Sequence, residues 1–253
     1  MTSLSVSQTV PDIWVVIPAA GVGARMGLDI PKQYLMLGDK TVIEHTLDRF
    51  AQLPGLAGII VLVAECDAIW PQVEARLRAG DLASYLHVAV GAQERADTVV
   101  SGLSFAKYKL KISGDTWVMV HDAARPCVSS EDLNALSKVC VSDADGGLLA
   151  SRVKDTMKRS QSSSLNVSHT EPRENLWHAL TPQLFKLGDL LSALEAAIAS
   201  GAKITDEASA MEQAGKQVVL VEGRADNIKL TTPSDLPFID FLLQQQQRLT
   251  SNV

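Results

Sequence analysis

Short apolar runs of strand length alternate with stretches of helical spacing along most of the chain. Ile13 to Pro18 (IWVVIP) reads as a strand running into the glycine-bearing stretch AAGVGARMG. From Val42 to Phe50 the apolar residues fall at Val42, Ile43, Leu47 and Phe50, a helical spacing. Ile59 to Val63 reads as a buried strand, and Leu86 to Val90 and Trp117 to Val120 as a third and a fourth strand. Helices are predicted after them at Ile69 to Leu77, Thr98 to Phe105 and Glu131 to Val141, with Ser129 or Ser130 placed to cap the last. Strands alternating with helices predict an α/β fold with a mainly parallel sheet covered on both faces. Ligands of such sheets sit outside the carboxyl ends of the strands. AAGVGARMG, GAQER and HDAARP follow the first, third and fourth strands, so chemistry is expected there.

The stretch 152–175 (RVKDTMKRSQSSSLNVSHTEPREN) breaks the alternation. It has few apolar residues, a serine-rich centre and a short alternating run on each side. A polar hairpin projecting from the domain and a disordered surface loop are equally compatible with that composition. Beyond it, Leu184 to Ser200 and Asp206 to Glu212 read as helices and Val218 to Val221 as a strand. A last helix spans Leu236 to Gln247, and Ser234 as its N-cap would put Pro237 at the third helical position, where no helical hydrogen bond is lost. Residues 1–12 are small and polar and predict a flexible extension ahead of a single domain over 13–247.

Composition narrows the class. With 46% hydrophobic and 21% charged residues over 253 positions, the chain is an ordinary globular protein with enough length for one large core. Three cysteines without C-x-x-C spacing argue against a disulfide framework and a zinc site, and suit a reducing compartment. The longest apolar run, Gly58 to Ala64, is too short to span a bilayer, and the first basic residue is Arg25, so no targeting segment is expected. A cytoplasmic enzyme is the expectation. A net charge of −6 speaks against nucleic acid or a membrane surface as partner, while leaving room for a local basic pocket.

Gly21 and Gly23 have the spacing of a dinucleotide fingerprint, but Met26 stands where its third glycine belongs, and no Gly-Lys-Ser/Thr is present. What remains is a strand entering a tight turn of small residues, with Arg25 and then Lys32 following. Small residues let backbone N–H groups approach an anion, and two cations can neutralise phosphates. A plain β–α turn with two surface cations fits that spacing equally well. Asp122 by itself reads as an Asx turn at a strand end, and Arg173 between acidic neighbours as a local ion pair. Thr205, Asp206 and Glu207 read as a helix start, with Thr205 as cap.

PAAGVGARMG followed by Pro31-Lys32-Gln33-Tyr34 resembles the N-terminal signature of the sugar-phosphate nucleotidylyltransferases. Within that family, HDAARP (121–126), DTMKR (155–159), LTPQ (180–183), ITDEASA (204–210) and DNIKLT (226–231) are similar, in order, to the cytidylyltransferases acting on 2-C-methyl-D-erythritol 4-phosphate. The resemblance covers about residues 13–240. It implies a single Rossmann-like α/β domain with a dimerisation arm at about 152–175, using CTP, the small sugar-alcohol phosphate and Mg²⁺.

On that resemblance Arg25, Lys32, Lys229 and Arg173 are the expected catalytic residues. Ala19, Ala20, Gly21, Gly91, Thr98 and Asp122 would bind the nucleotide, and Asp122 also the metal. Arg125, Thr156, Arg173, Thr181 and Lys229 would hold the sugar phosphate, with Asp226 a possible second polar contact beside Lys229. The family's base-binding stretch carries two glycines and a serine, where this chain has Ala92 and Thr98 at the second glycine and the serine. The arm implies a homodimer in which Thr156 and Arg173 serve the partner's site. Arg95 is open between a ligand contact and a structural ion pair. A ribitol 5-phosphate cytidylyltransferase, and a catalytically silent nucleotide-binding module, are the competing readings.

Overall fold

The structure, a computed structural model, describes residues 11–21 and 30–250. Arg25 and all but the end of the N-terminal extension lie outside the described residues. In chain order the strands are β1 (Ile13–Pro18), a small hairpin of β2 (Met36–Leu37) and β3 (Lys40–Thr41), β4 (Leu56–Val63), β5 (Leu86–Val90) and β6 (Trp117–Val120). The second half adds β7 (Gly146–Arg152), a hairpin of β8 (Met157–Ser160) and β9 (Val167–Glu171), β10 (Trp177–Lys186) and β11 (Val218–Glu222). The helices are α1 (Val42–Asp48), α2 (Trp70–Arg78), α3 (Arg95–Ser104), α4 (Ser130–Ser137), α5 (Leu187–Ala199), α6 (Glu207–Gln213) and α7 (Asp235–Thr250).

Seven strands form one sheet in the order β11–β7–β10–β6–β1–β4–β5, parallel except for β10. The apolar runs are continuous because both faces are covered. Ile13, Val15 and Ile17 of β1 enter one core with Ile43 and Leu47 of α1, Val73 of α2 and Leu133 of α4. Val16 faces the opposite core, with Val99 and Leu103 of α3, Leu190 and Leu194 of α5, and Met211 of α6. A smaller cluster seats Ile239 and Leu243 of α7 on Leu37, Val42, Cys127 and Leu230.

Several expectations change. The sequence pattern gave no strand at β7, and Leu184–Lys186, expected to begin a helix, finish β10 instead. Paired on both edges, β10 sends Leu184 to one core and Phe185 to the other, an alternation that a strand satisfies and a helix does not. Helix α3 begins at Arg95, three residues before the expected start, and continues into a π-helical turn at Phe105–Lys109. Asp206, not Thr205, caps α6: its side chain accepts from Ser209 N–H at 3.0 Å. Ser129 caps α4. The 152–175 stretch is a hairpin, with Met157 opposite Glu171 and every residue of β8 and β9 exposed except half-buried Glu171.

One buried carboxylate ties two helices together. Thr41 and Glu44 form a capping box at the start of α1, and Glu44 also takes two hydrogen bonds from Arg76 of α2, at 2.7 and 2.8 Å. Burial pushes the Glu44 carboxyl up, but the Arg76 and Thr41 hydrogen bonds outweigh it and bring it from 4.5 to about 2. A depressed folded-state value means that the contribution is complete above about pH 4.5 and is lost as pH falls toward about 2. Glu44→Gln should lower Tm by about 2–8 °C near neutrality. The loss should shrink in melts recorded between about pH 5 and 3; an equal loss at every pH would contradict this assignment.

Candidate active site

The carboxyl ends of β1 and β6 open into a cavity of about 370 Å³, within the range of small-molecule sites. Ala19, Ala20 and Gly21 after β1 form one wall, Asp122 to Ala124 after β6 another, and Lys32, Arg95, Lys229 and Thr231 close it from other parts of the chain.

Three consecutive side chains of the 3-10 turn Lys32–Tyr34 frame the first wall. Lys32 Nζ donates to the Leu230 carbonyl at 2.8 Å. Gln33, buried, donates from Nε2 to the Ala19 and Gly21 carbonyls at 2.7 and 3.1 Å. Tyr34 donates to Asp67 at 2.6 Å, and Asp67 in turn accepts from the N–H groups of Ile69 and Trp70 at the start of α2. The small-residue turn is thus held by its neighbour in the motif, a role for Gln33 that the sequence reading did not assign.

Asp122 sits at the centre. Its Oδ1 accepts from Arg95 Nε at 3.0 Å, and its Oδ2 meets Lys229 Nζ at 2.8 Å and Arg125 Nε at 3.4 Å. Burial raises the Asp122 carboxyl, but the charges of Arg95, Lys229 and Arg125 and the Lys229 hydrogen bond overcome it and hold it well below the usual carboxylate range. Arg95 also gives both terminal nitrogens to Glu207, at 2.7 and 3.2 Å. It is therefore an ion-pair bridge, the structural reading of Arg95, and it also lines the cavity. Glu207, in the first turn of α6, is a buried counter-charge that its sequence position did not reveal.

Arg125 and Thr181 do not line the cavity; they brace it. Arg125 Nη1 donates to the Asn227 carbonyl at 2.7 Å, and Asn227 Nδ2 to the Thr181 carbonyl at 2.8 Å. His121 Nε2 lies 3.0 Å from the Arg125 carbonyl, which can only accept, so Nε2 carries the proton. Nδ1 then accepts from the Thr181 hydroxyl at 2.9 Å, and that hydroxyl accepts from Asp122 N–H at 3.2 Å. Burial pushes the His121 imidazole down to about 4, so the ring is neutral at pH 7.

The Gly91–Thr98 loop is self-supporting. Thr98 Oγ1 lies within 2.9 Å of the Ala92 and Glu94 carbonyls and accepts from Ala92 N–H at 3.0 Å. Gly91 packs so closely behind the turn that a Cβ there would stand 2.6 Å from Ala20 Cβ and 2.9 Å from Thr98 Cγ2. Thr98 thus spends its hydroxyl on loop backbone, although both it and Gln93 line the cavity.

Thr156 and Arg173 do not reach this cavity within one chain. Both are exposed; Arg173 donates to the Lys154 carbonyl and borders a separate cleft at the base of the arm with Arg152 and Glu222. Asp226 is paired with Arg224 rather than turned to the cavity. Among the described residues no group of three His, Cys, Asp or Glu side chains could hold a metal by itself. One carboxylate among phosphate oxygens is enough for Mg²⁺, and among the described residues Asp122 Oδ1 takes a single hydrogen bond, so the residues fit a metal that arrives on a nucleotide and not one held by protein alone.

A cation-lined cavity walled by a small-residue turn, at the carboxyl ends of a mainly parallel sheet, defines a nucleotide-binding α/β domain built to handle phosphates. The sequence profile of the family described as "2-C-methyl-D-erythritol 4-phosphate cytidylyltransferase" matches residues 13–245. The protein of that name from Pseudoalteromonas translucida is 48% identical over 240 residues, covering 94% of this chain and 93% of that protein. The one from Pseudomonas paraeruginosa is 51% identical over 232 residues, covering 91% and 95%. A crystal structure of 4-diphosphocytidyl-2C-methyl-D-erythritol synthase superposes with a TM-score of 0.78 at 36% identity, covering 92% of this chain and 99% of that one. The Francisella tularensis cytidylyltransferase structure gives 0.73 at 34%, covering 91% and 99%. The chain belongs to the 2-C-methyl-D-erythritol 4-phosphate cytidylyltransferase family, and is a nucleotidyltransferase.

Thr98→Val keeps the shape of the side chain and removes its hydroxyl. It should cost about 1–3 kcal/mol in denaturant unfolding, because the Ala92 N–H loses its partner. Thr98→Ser should keep most of the stability; a Val variant as stable as the parent would contradict the loop's dependence on that hydroxyl.

Proposed function

We propose that the chain transfers a cytidylyl group from CTP to 2-C-methyl-D-erythritol 4-phosphate. An oxygen of the sugar phosphate attacks the α-phosphorus, the bond from that phosphorus to the bridging oxygen of the β-phosphate breaks, and pyrophosphate leaves. Family membership supports the reaction. The single structural observation that carries the residue roles is the meeting of Lys32 and Lys229 with Asp122 around one cavity.

A phosphomonoester loses its second proton near pH 6, so the attacking oxygen is already ionised at neutral pH. No general base is required, consistent with a buried, neutral His121. The barrier lies in bringing anions together, and fixed cations lower it by placing charge where it develops. Lys32 and Lys229 supply it beside the triphosphate, with Arg25 assigned the same duty from its motif. Ala19 to Gly21 and the Gly91–Thr98 loop flank the nucleotide. Mg²⁺, when bound with CTP, would be held by Asp122 and the phosphates and would offset triphosphate charge. Asp122 fixes Lys229 through their 2.8 Å ion pair.

Thr156 and Arg173 enter only if the arm crosses to a second subunit, so a homodimer with shared sites is part of this reading. The arm's exposure on both strands supports it, since such a hairpin gains apolar cover only from a partner. Met157 and Val167 are exposed there.

Pyrophosphate release with CTP and Mg²⁺ should occur with 2-C-methyl-D-erythritol 4-phosphate and not with ribitol 5-phosphate; the reverse preference would move the protein to the polyol-phosphate reading. Lys32→Ala should lower kcat at least about 100-fold, and near-normal turnover would remove its assigned role. Mixing inactive Arg25→Ala and Arg173→Ala proteins should restore activity in exchanged heterodimers. No recovery after demonstrated subunit exchange would count against the crossing arm.

A further inference from the structure

Arginine facing a carboxylate ordinarily gives it two nitrogens side by side. Arg95 does this to Glu207 and gives Asp122 only Nε. Glu207 is 1% exposed and Arg95 is its ion-pair partner, so little but this guanidinium offsets the cost of burying its charge. The carboxylate is also rigidly presented. The start of α6 is pinned to β10 by Gln183, whose Nε2 donates to Asp206 at 2.9 Å and whose Oε1 accepts from Ala208 N–H at 2.7 Å. Glu207 does not line the cavity, so it acts on the reaction only through Arg95.

We infer that Glu207 is a positioning residue for the proposed transfer: it holds the two terminal nitrogens of Arg95 off Asp122 and so keeps Asp122 available to the nucleotide and Lys229. This inference rests on the cytidylyl-transfer reading. Without Glu207, the freed terminal nitrogens can turn to Asp122, which Arg95 Nε already meets at 3.0 Å. A two-pronged Arg95–Asp122 pair would occupy the second acceptor position of Oδ1 and compete with Lys229 for Oδ2. The α3 end of the base loop would be drawn with it, since Arg95 is the first residue of that helix.

Glu207→Gln keeps the volume and removes the competing charge. It should lower kcat for pyrophosphate release at least about tenfold and weaken calorimetric binding of CTP with Mg²⁺ at least about fivefold. Removing the guanidinium as well, in Arg95→Met/Glu207→Gln, should bring both quantities back toward the parent. A salt bridge that only stabilises the fold predicts the opposite order, with the double variant no better than the single. Glu207→Gln with kcat and CTP affinity within about threefold of the parent, or a double variant as impaired as the single or more so, would overturn the inference. Should Glu207→Gln fail to fold, Glu207→Asp is compared with Arg95→Met/Glu207→Asp in the same way. A parent protein that binds CTP yet turns over no sugar phosphate would fail the transfer reading instead, and the CTP affinities of the variants would still decide the role of Glu207.

Discussion

Asp122 is a carboxylate buried at the end of a central strand, and it stays ionised because three cations converge on it. Leaving such a group alone in the interior would cost several kcal/mol, so each cation is held as firmly as it holds Asp122. Arg95 comes from the first turn of α3, Arg125 from the loop after β6, and Lys229 from the segment ahead of α7. Asp122 is therefore the point at which three distant stretches of chain are brought into one register. The surrounding order follows from it: Lys229 is held at the cavity wall, and Arg125 is turned back to hold the Asn227 backbone.

A second layer keeps that arrangement from relaxing. Neutral His121 passes a hydrogen bond from the Thr181 hydroxyl to the Arg125 carbonyl, and the same hydroxyl receives Asp122 N–H. Opposite, Gln33 closes the Ala19–Gly21 turn while its neighbour Lys32 is tied to the Leu230 carbonyl. Backbone and cations are thus held by contacts within the protein itself, which is how a site limits the cost of reorganising around developing charge.

The sheet was legible where both faces are buried, because β1, β4 and β6 are near-continuous apolar runs bounded by turns, and edge strand β5 was legible from its own short apolar run. It was less so at β7, which opens on two glycines, and at β10, where Leu184 and Phe185 read equally well as the start of α5. Motif positions placed Lys32, Asp122 and Lys229 at one cavity. Charge partnership was not legible: nothing in ITDEASA says that Glu207 reaches Arg95, and nothing in HDAARP says that Arg125 turns inward. Those facts depend on segments far apart in the chain, Arg95 with Glu207 and Arg125 with Asn227, that only the fold brings together. Thr156 and Arg173 mark the other boundary, since one chain does not bring them to the cavity at all.

In the proposed transfer, the Asp122 charge organises the cations around the phosphates. Asp122→Asn tests it most directly, because it changes the charge and little else. Single-turnover pyrophosphate release, with CTP and 2-C-methyl-D-erythritol 4-phosphate both saturating, should fall at least about 100-fold in a variant whose melt shows it folded. A folded variant that turns over at the parent rate would contradict the account.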